Sequence, residues 1–466
     1  DDAIFLSNEW PRGIKEDLDG LKQGRERALD MLDPRPLPDH YRPLKLQALD
    51  RCARHLGAKL ERPPLTVSFE NGVNHVGVRQ HACTHCGDCF TGCNYAAKNT
   101  LIMNYLPDAK THGAEIFTEI AVRRVEERGG RWTEHYELLG SGREPLAAPA
   151  MSVSARVVVL AAGTMGSTEI LLRSTRKDPV SGASGLSLSR ALGSGFSSNA
   201  DVLAVSYNGD QPVEGIGFGP RRAHGREPVG PTITGMVRLG SGEDVTDQFL
   251  LQDGAIPGAM AAFLPGLLLV ANVLVGRRPF SAAREPLGAL LRRWLRCLHG
   301  AYRGAVRSTQ TFLVMGHDAA KGVMRLGSND RLRLEWPRVA RQPVYAAISR
   351  QLAAASRALG GSYVRNPVDL FAVHPLGGCR MGDSAADGVV DHEGRVFRGE
   401  PGRTPYYEGL YVSDGSVVPS SLGVNPLLTI TALAERSCAL LAEDRGWHID
   451  YALPSSPAHR EQRSRT

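Results

Sequence analysis

The sequence predicts a mixed α/β fold of one to three domains, and three features predict it. The all-apolar run Val157–Leu160 turns through Ala161, Ala162 and Gly163 into a helical segment that reaches Leu172, the pattern of a buried strand delivering a glycine turn to a helix. Ahead of it, residues 114–160 hold three strand-like runs split by Gly-Gly and Gly-Arg turns, which reads as a short β-meander. The length of 466 residues, with 42% apolar and 22% charged residues, supports substantial cores, and no self-similar period marks a solenoid or propeller.

The other elements follow in order. Residues 17–32 and 43–57 place apolar side chains at helical spacing and predict two amphipathic helices. Residues 64–80 are Pro-rich and then extended, and 99–111 predict a helix leading to Gly113. Helical spacing returns at 165–175, strand-like runs at 201–207, 231–239, 309–316 and 330–336, and a further helix at 343–359. The last helix is expected over 426–445, with Asn425 as its cap and Pro426 in its first turn. The polar tail, 452–466, is expected to be loose. Residues 254–276 carry no charge and admit three readings: a buried core helix, the apolar wall or lid of a lipid-sized pocket, or a membrane span. Pro257 and Pro265 weigh against the span.

A net charge of +6 without a basic tract argues against nucleic acid as a partner. The chain opens Asp1-Asp2 with no charged or apolar leader, so no signal peptide is visible; a cytoplasmic or membrane-peripheral location is the expectation, with secretion left open. Of eight cysteines, Cys52, Cys297, Cys379 and Cys438 are scattered, unlike a secreted disulfide framework. Cys83, Cys86, Cys89 and Cys93 instead have the spacing C-x2-C-x2-C-x3-C of bacterial ferredoxins, with Asn94 in the place of the usual Pro. Thiolates so close can converge on one soft metal, yet no second Cys group completes a ferredoxin pair. An iron–sulfur cluster, a zinc site, and plain thiols or local disulfides are the three readings.

Three further segments carry chemistry. In Gly163-Thr164-Met165-Gly166-Ser167, glycines at a helix start let backbone N–H groups approach a phosphate or ring, although any strand-to-helix turn favours glycine. His374 precedes Pro375, Gly377 and Gly378 in a stiff loop; it is either a structural histidine or a proton-handling group. The segment 409–436 brings Asp414-Gly415 and then Asn425-Pro426-Leu427, where Asn425 either caps the helix alone or offers its amide to a substrate oxygen.

Taken in this order, the strand–AAGTMGSTEILLRS segment, the HPLGGC loop and the ending DGSVVPSSLGVNPLLTITALAER resemble the glucose–methanol–choline (GMC) oxidoreductases, specifically their bacterial cholesterol-oxidase-like branch. Cys83 to Cys93, followed by Ala97-Lys98-Asn99-Thr100 and Asn104-Tyr105-Leu106, is similar to the same branch, and the resemblance covers about residues 10–446. It implies a discontinuous, Rossmann-like FAD-binding domain (113–200 and 388–446), interrupted by a substrate domain (201–387) built on an antiparallel sheet and helices. Residues 1–112 would form a helical cap with a Cys-rich flavin-lining segment, and 447–466 a tail.

The resemblance also implies catalytic roles for His374 and Asn425, and cofactor contacts from Asn99, Ala162, Gly163, Gly166, Ser167, Asp414, Gly415, Asn425, Pro426 and Leu427. The strand–GxGxxG–helix unit with which the family opens is not in this sequence; Gly215-Ile216-Gly217-Phe218-Gly219 runs into Pro220 rather than a helix. That departure leads to the expectation of a chain lacking its N-terminal βαβ unit. The function that follows is FAD-dependent oxidation of a bulky apolar alcohol, with a 3β-hydroxysteroid such as cholesterol as the example. The electron acceptor would be O2 or a partner, and peripheral membrane contact is expected. The alternatives are an iron–sulfur FAD dehydrogenase of sugars or other polyols, and a truncated, non-catalytic remnant. Residues 254–276 hold no acid of the kind that moves a steroid ring double bond, which counts against a coupled isomerase activity.

Overall fold

The structure is a computed structural model and describes residues 2–140, 151–177, 182, 184–218, 228–240, 245–275, 295–297, 299–366, 371–399 and 404–453. Most of the tail expected to be loose lies outside these residues. Helix α1 (Leu18–Leu32) starts where the Asp17 carboxylate accepts from the Gly20 N–H, and ends at Asp33 in the left-handed region. Helix α2 (Leu44–His55) follows Pro43 and turns Leu46, Ala48, Leu49, Cys52 and Ala53 inward. Where one helix was expected over 99–111, a 3-10 turn (Leu101–Met103) and a short helix (Tyr105–Thr111) are separated at Asn104, whose backbone, φ −139° and ψ −91°, is neither helical nor extended and breaks the run.

Strands β1 (Leu60–Glu61), β6 (Val202–Tyr207), β7 (Met236–Leu239), β8 (Phe249–Gly254), β9 (Gln310–Met315) and β10 (Ser362–Arg365) form an antiparallel six-stranded sheet in the order β10-β6-β9-β8-β7-β1. The meander is β2 (Ile120–Arg128), β3 (Arg131–Leu138) and β4 (Met151–Ala155). The expected strand-to-helix turn is β5 (Val158–Leu160) into α3 (Gly163–Ser174). Strand β5 pairs in parallel with β12 (Tyr406–Val412), which in turn pairs with β11 (Arg395–Phe397).

Two faces of the six-stranded sheet do different things because side chains alternate along a strand. Val237, Leu251, Val314 and Val202 lie in one cross-strand row, facing α2 and α5 (Pro343–Ala358), and form a core with Ala48, Leu49, Ile348 and Leu352. Met236, Gln252, Leu313 and Leu203 form the row on the opposite face; here Gln252 is buried and the three apolar residues are half-buried. Asp253 points back toward α2, where its carboxylate meets the Lys45 ammonium at 2.5 Å with both side chains fully buried.

Helix α4 (Leu264–Val275) occupies the uncharged stretch. Leu264 and Leu268 pack inward, but Phe263, Leu267, Val270, Val273 and Leu274 are 56–75% exposed. The buried-core reading of 254–276 is therefore corrected: one face of the helix is covered and the other open. Among the described residues, no helix is long and apolar enough to cross a membrane. The last helix, α6 (Leu427–Asp444), packs along α1, and Gly24 lets them touch, since a Cβ there would sit 2.4 Å from the Ala432 carbonyl oxygen.

Candidate active site

Four side chains from four chain segments converge where the six-stranded sheet meets the start of α6. Asp201 immediately precedes β6, Gln252 lies on β8, His374 is in the Pro375 loop and Asn425 precedes α6. Their hydrogen bonds run in one line. The Asp201 carboxylate faces His374 Nδ1 at 2.9 Å, and its other oxygen accepts the backbone N–H groups of Val373 and His374 at 2.7 and 2.8 Å. Across the ring, His374 Nε2 lies 3.4 Å from Asn425 Nδ2. Asn425 Oδ1 accepts from Gln252 Nε2 at 2.7 Å.

Burial raises the Asp201 carboxyl above its ordinary range, while the hydrogen bond and charge of His374 and the two backbone donors pull it down. With Asp201 holding Nδ1–H, the lone pair of Nε2 faces Asn425, which is the tautomer a general base requires. A hydroxyl placed between Nε2 and Asn425 Nδ2 can donate to the first and accept from the second.

The expected cap at Asn425 is not formed. Pro426 occupies the cap position of α6 without a side-chain cap, and the Asn425 amide faces the site instead. Sequence reasoning found His374 and Asn425 and missed Asp201 and Gln252. Asp201 left no signal, being one acid at the head of an ordinary strand. Gln252-Asp253 did leave one: two polar residues ending the apolar run Phe249-Leu250-Leu251, in a strand buried on both faces.

The residues assigned to the cofactor fall into two groups. Gly415 ties the first turns of α3 and α6 together, for a Cβ on it would lie 3.1 Å from Thr164 Oγ1 and 3.2 Å from Ile430 Cδ1. Neither cap residue, Ala162 or Pro426, makes a side-chain cap; α6 presents N–H groups and a positive dipole end, whereas at α3 the Gly163 N–H is taken by the Asp414 carboxylate and the dipole end remains. Ala161, Ala162, Val424 and Leu427 are exposed beside them, and at Gly163, with φ +78°, a Cβ would meet nothing within 4 Å. A cavity of about 230 Å³ opens against Gly423, Val424, Asn425 and Leu428, walled by Ile4, Phe5, Phe249 and Leu250.

This donor set fits a group with a flat apolar body and anionic edges, as FAD is. Asp414 has internal partners: it accepts from the Gly163 N–H at 2.9 Å, the Ser167 hydroxyl at 2.5 Å and the Ser416 N–H at 2.8 Å. A Cβ on Gly166 would sit 2.8 Å from the Cβ of Ala162, the residue before α3. Asn99 donates to the Leu32 carbonyl at 2.7 Å and accepts from Gln80, anchoring the end of α1. Cys379 is buried against Thr168, and burial pushes its thiol up to about 12, which keeps it protonated.

Cys83, Cys86, Cys89 and Cys93 line one small cavity of about 20 Å³. Among the described residues, however, no three His, Cys, Asp or Glu side chains are grouped to hold a metal ion, so the metal readings of this motif find no ligand set. The loop is held by other bonds: Cys86 and His85 carbonyls accept from Phe218 and Val229, and Asp88 accepts from the Gly258 N–H. Those contacts tie the loop to Phe218, Val229 and Gly258. Burial pushes the Cys83 thiol up to about 12.

Comparison with known proteins agrees with the geometry. Residues 45–191 match the N-terminal and 301–434 the C-terminal region of the GMC oxidoreductases. A cholesterol oxidase of Mycobacterium tuberculosis (strain CDC 1551 / Oshkosh) is 27% identical over 378 residues, covering 78% of this chain and 60% of the relative. A long-chain-alcohol oxidase of Arabidopsis thaliana is 25% identical over 458 residues, covering 91% of this chain and 54% of the relative. The chain thus spans little more than half the length of these proteins. The crystal structure of pyridoxine 4-oxidase from Mesorbium loti superposes with a TM-score of 0.50 at 17% identity, covering 89% of this chain and 72% of that one, a likeness of fold.

Proposed function

Because the chain belongs to the GMC oxidoreductase family, we propose that it oxidises a bulky apolar alcohol with FAD, and that His374 and Asn425 handle the hydroxyl. The observation that carries this reading is the His374–Asn425 pair, with Asp201 holding the far ring nitrogen. His374 Nε2 takes the hydroxyl proton, Asn425 Nδ2 donates to the substrate oxygen, and the Asp201 carboxylate stabilises the imidazolium that results. Bound FAD would supply the acceptor for the hydride leaving the alcohol carbon. The first turns of α3 and α6 would hold it, with α6 presenting N–H groups to negative charge.

The half-buried row Met236, Leu313 and Leu203 beside Gln252, apolar with a single amide, supports a bulky apolar substrate. A 3β-hydroxysteroid such as cholesterol is the lead substrate, and a long-chain alcohol is the second, in keeping with the names of the two relatives. O2 is the favoured acceptor, in keeping with the oxidase names of the two relatives. The exposed apolar face of α4, followed in sequence by Arg277-Arg278, favours docking on a lipid surface. Substitution of His374 by Ala should cut turnover by at least about 10²-fold with FAD still bound. Unchanged turnover would remove His374 from its role.

A further inference from the structure

We propose that Gln252 is a positioning residue that sets the direction of the Asn425 amide and thereby keeps His374 Nε2 an acceptor. The inference rests on the reading of His374 as the base, and deepens it.

An asparagine amide can present either end to a neighbour, and the two ends ask opposite things of an imidazole. With Nδ2 toward His374, the ring nitrogen must carry a lone pair; with Oδ1 toward it, the ring must carry a proton. Asp201 favours the first state from one side by accepting at Nδ1. Gln252 favours it from the other side, because its Nε2–H occupies Asn425 Oδ1 and leaves Nδ2 for the histidine. The carboxylate and the glutamine thus agree on one tautomer, and Asn425 is the link between them.

Gln252 is well held for this task. It is 2% exposed, it pairs in register with Met236 and Leu313, and the next residue, Asp253, is locked by Lys45 together with Thr234. The base of the loop before α6 is fixed as well: Asn199 accepts from the Leu422 and Gly423 N–H groups and donates to the Val424 carbonyl. Gln252 Oε1, by contrast, is buried with no hydrogen-bond partner among the described residues. A leucine of similar size would pack there without that uncompensated acceptor. Packing alone therefore does not account for an amide here; its N–H toward Asn425 does.

The charged and titratable groups around the pair are few. Asp201 faces His374 directly, Tyr345 of α5 bonds Ser198, Asp318 accepts from Ser198 and Ala200, and His317 lies against Gly423 and Ser421. Burial holds the Tyr345 hydroxyl up at about 12, so it stays neutral through the range in which histidine titrates. A carboxylate at position 252 would be a new charge in this set and would also demand a donor from Asn425, turning its Oδ1 toward His374.

The test compares Gln252→Glu and Gln252→Leu in the purified full chain, reading the ring ¹⁵N shifts of His374 against pH, with its signal identified by loss in His374→Gln. In the parent, His374 should be a neutral Nδ1–H tautomer above its midpoint. Gln252→Glu should raise that midpoint by about one pH unit or more. Gln252→Leu should leave the midpoint and the Nδ1–H tautomer nearly in place, because Asp201 still accepts at Nδ1, but should shift or broaden the Asn425 side-chain NH₂ signal, identified by its loss in Asn425→Asp, as the amide loses its fixed direction. If Gln252→Glu does not fold, the Leu variant decides alone: a parent-like Asn425 amide signal overturns the proposal. A midpoint unchanged in a folded Gln252→Glu would overturn it too. The readout does not depend on catalysis, so shifts as expected in a chain that oxidises no alcohol would sustain the role of Gln252 and sink the functional reading instead.

Discussion

At the scale of the residue, Asp201 should separate stability from chemistry. Its carboxyl is raised by burial first and lowered by His374 and two backbone donors second. A carboxyl whose folded value is raised lends stability that is fully present below the unfolded value of roughly 3.9 and is lost as pH rises through the folded value. Asparagine cannot ionise, so Asp201→Asn should gain stability relative to the parent as pH climbs from 4 to 7, and should unfold no more readily at pH 7. Its side chain can still accept the Val373 and His374 N–H groups, but it then offers an N–H to His374 Nδ1, which forces the proton onto Nε2. The base is lost. Turnover should fall by about 10²–10⁴-fold, as when a buried acid that orients a histidine is made an amide. Urea unfolding at several pH values, beside steady-state rates, checks both halves; loss of stability together with activity would show that Asp201 acts on the fold rather than on the tautomer.

At the scale of the element, legibility followed how local the signal is. The β5–α3 turn and the helix α6 were readable because glycine, proline and apolar spacing act within a few residues. His374 was readable because its loop has an unusual composition. Asp201 was not, and Gln252 showed only as a polar break in an apolar run, because their meaning comes from the register of β6 and β8 with strands far along the chain. The cap at Asn425 was misread for a related reason: a distant strand supplies a better partner for the amide than the adjacent helix does. Helix α4 shows the same limit, since an uncharged sequence does not say which face is covered. Its open face, Phe263, Leu267, Val270, Val273 and Leu274, is far more apolar than an isolated surface helix needs. Replacing Leu267 and Leu274 by Glu should lower partitioning onto anionic lipid vesicles by at least about tenfold, given roughly 0.8 kcal/mol per buried CH₂. Turnover of a water-soluble alcohol should not change. Equal partitioning of parent and variant in a sedimentation assay would remove the lipid surface as the partner of α4.

At the scale of the whole molecule, the site depends on a contact between the two ends of the chain. Asn425 sits at the head of α6, and α6 is held along its length by α1: Arg436, 3% exposed, donates to Asp17 at 2.8 Å and to the His392 carbonyl at 2.8 Å. The helices approach so closely because Gly24 has no side chain, and the atom it would strike is a backbone oxygen, which cannot rotate away. Gly24→Val must therefore push α6 outward, and α6 carries Asn425 with it. The expected cost is about 1–3 kcal/mol from overpacking, partly offset because valine restricts the unfolded chain more than glycine. Gly266→Ala is the control: it lies within α4, a Cβ there meets nothing within 4 Å, and the change should be neutral or stabilising by up to about 1 kcal/mol. Because the displacement acts on the His374–Asn425 spacing as well as on the core, turnover of Gly24→Val should fall even at temperatures where the chain remains folded. Denaturant midpoints and rates measured on both variants decide the matter. A Gly24→Val protein with lowered stability but parental turnover would mean that the loop held by Asn199, rather than the packing of α1 on α6, fixes the position of Asn425.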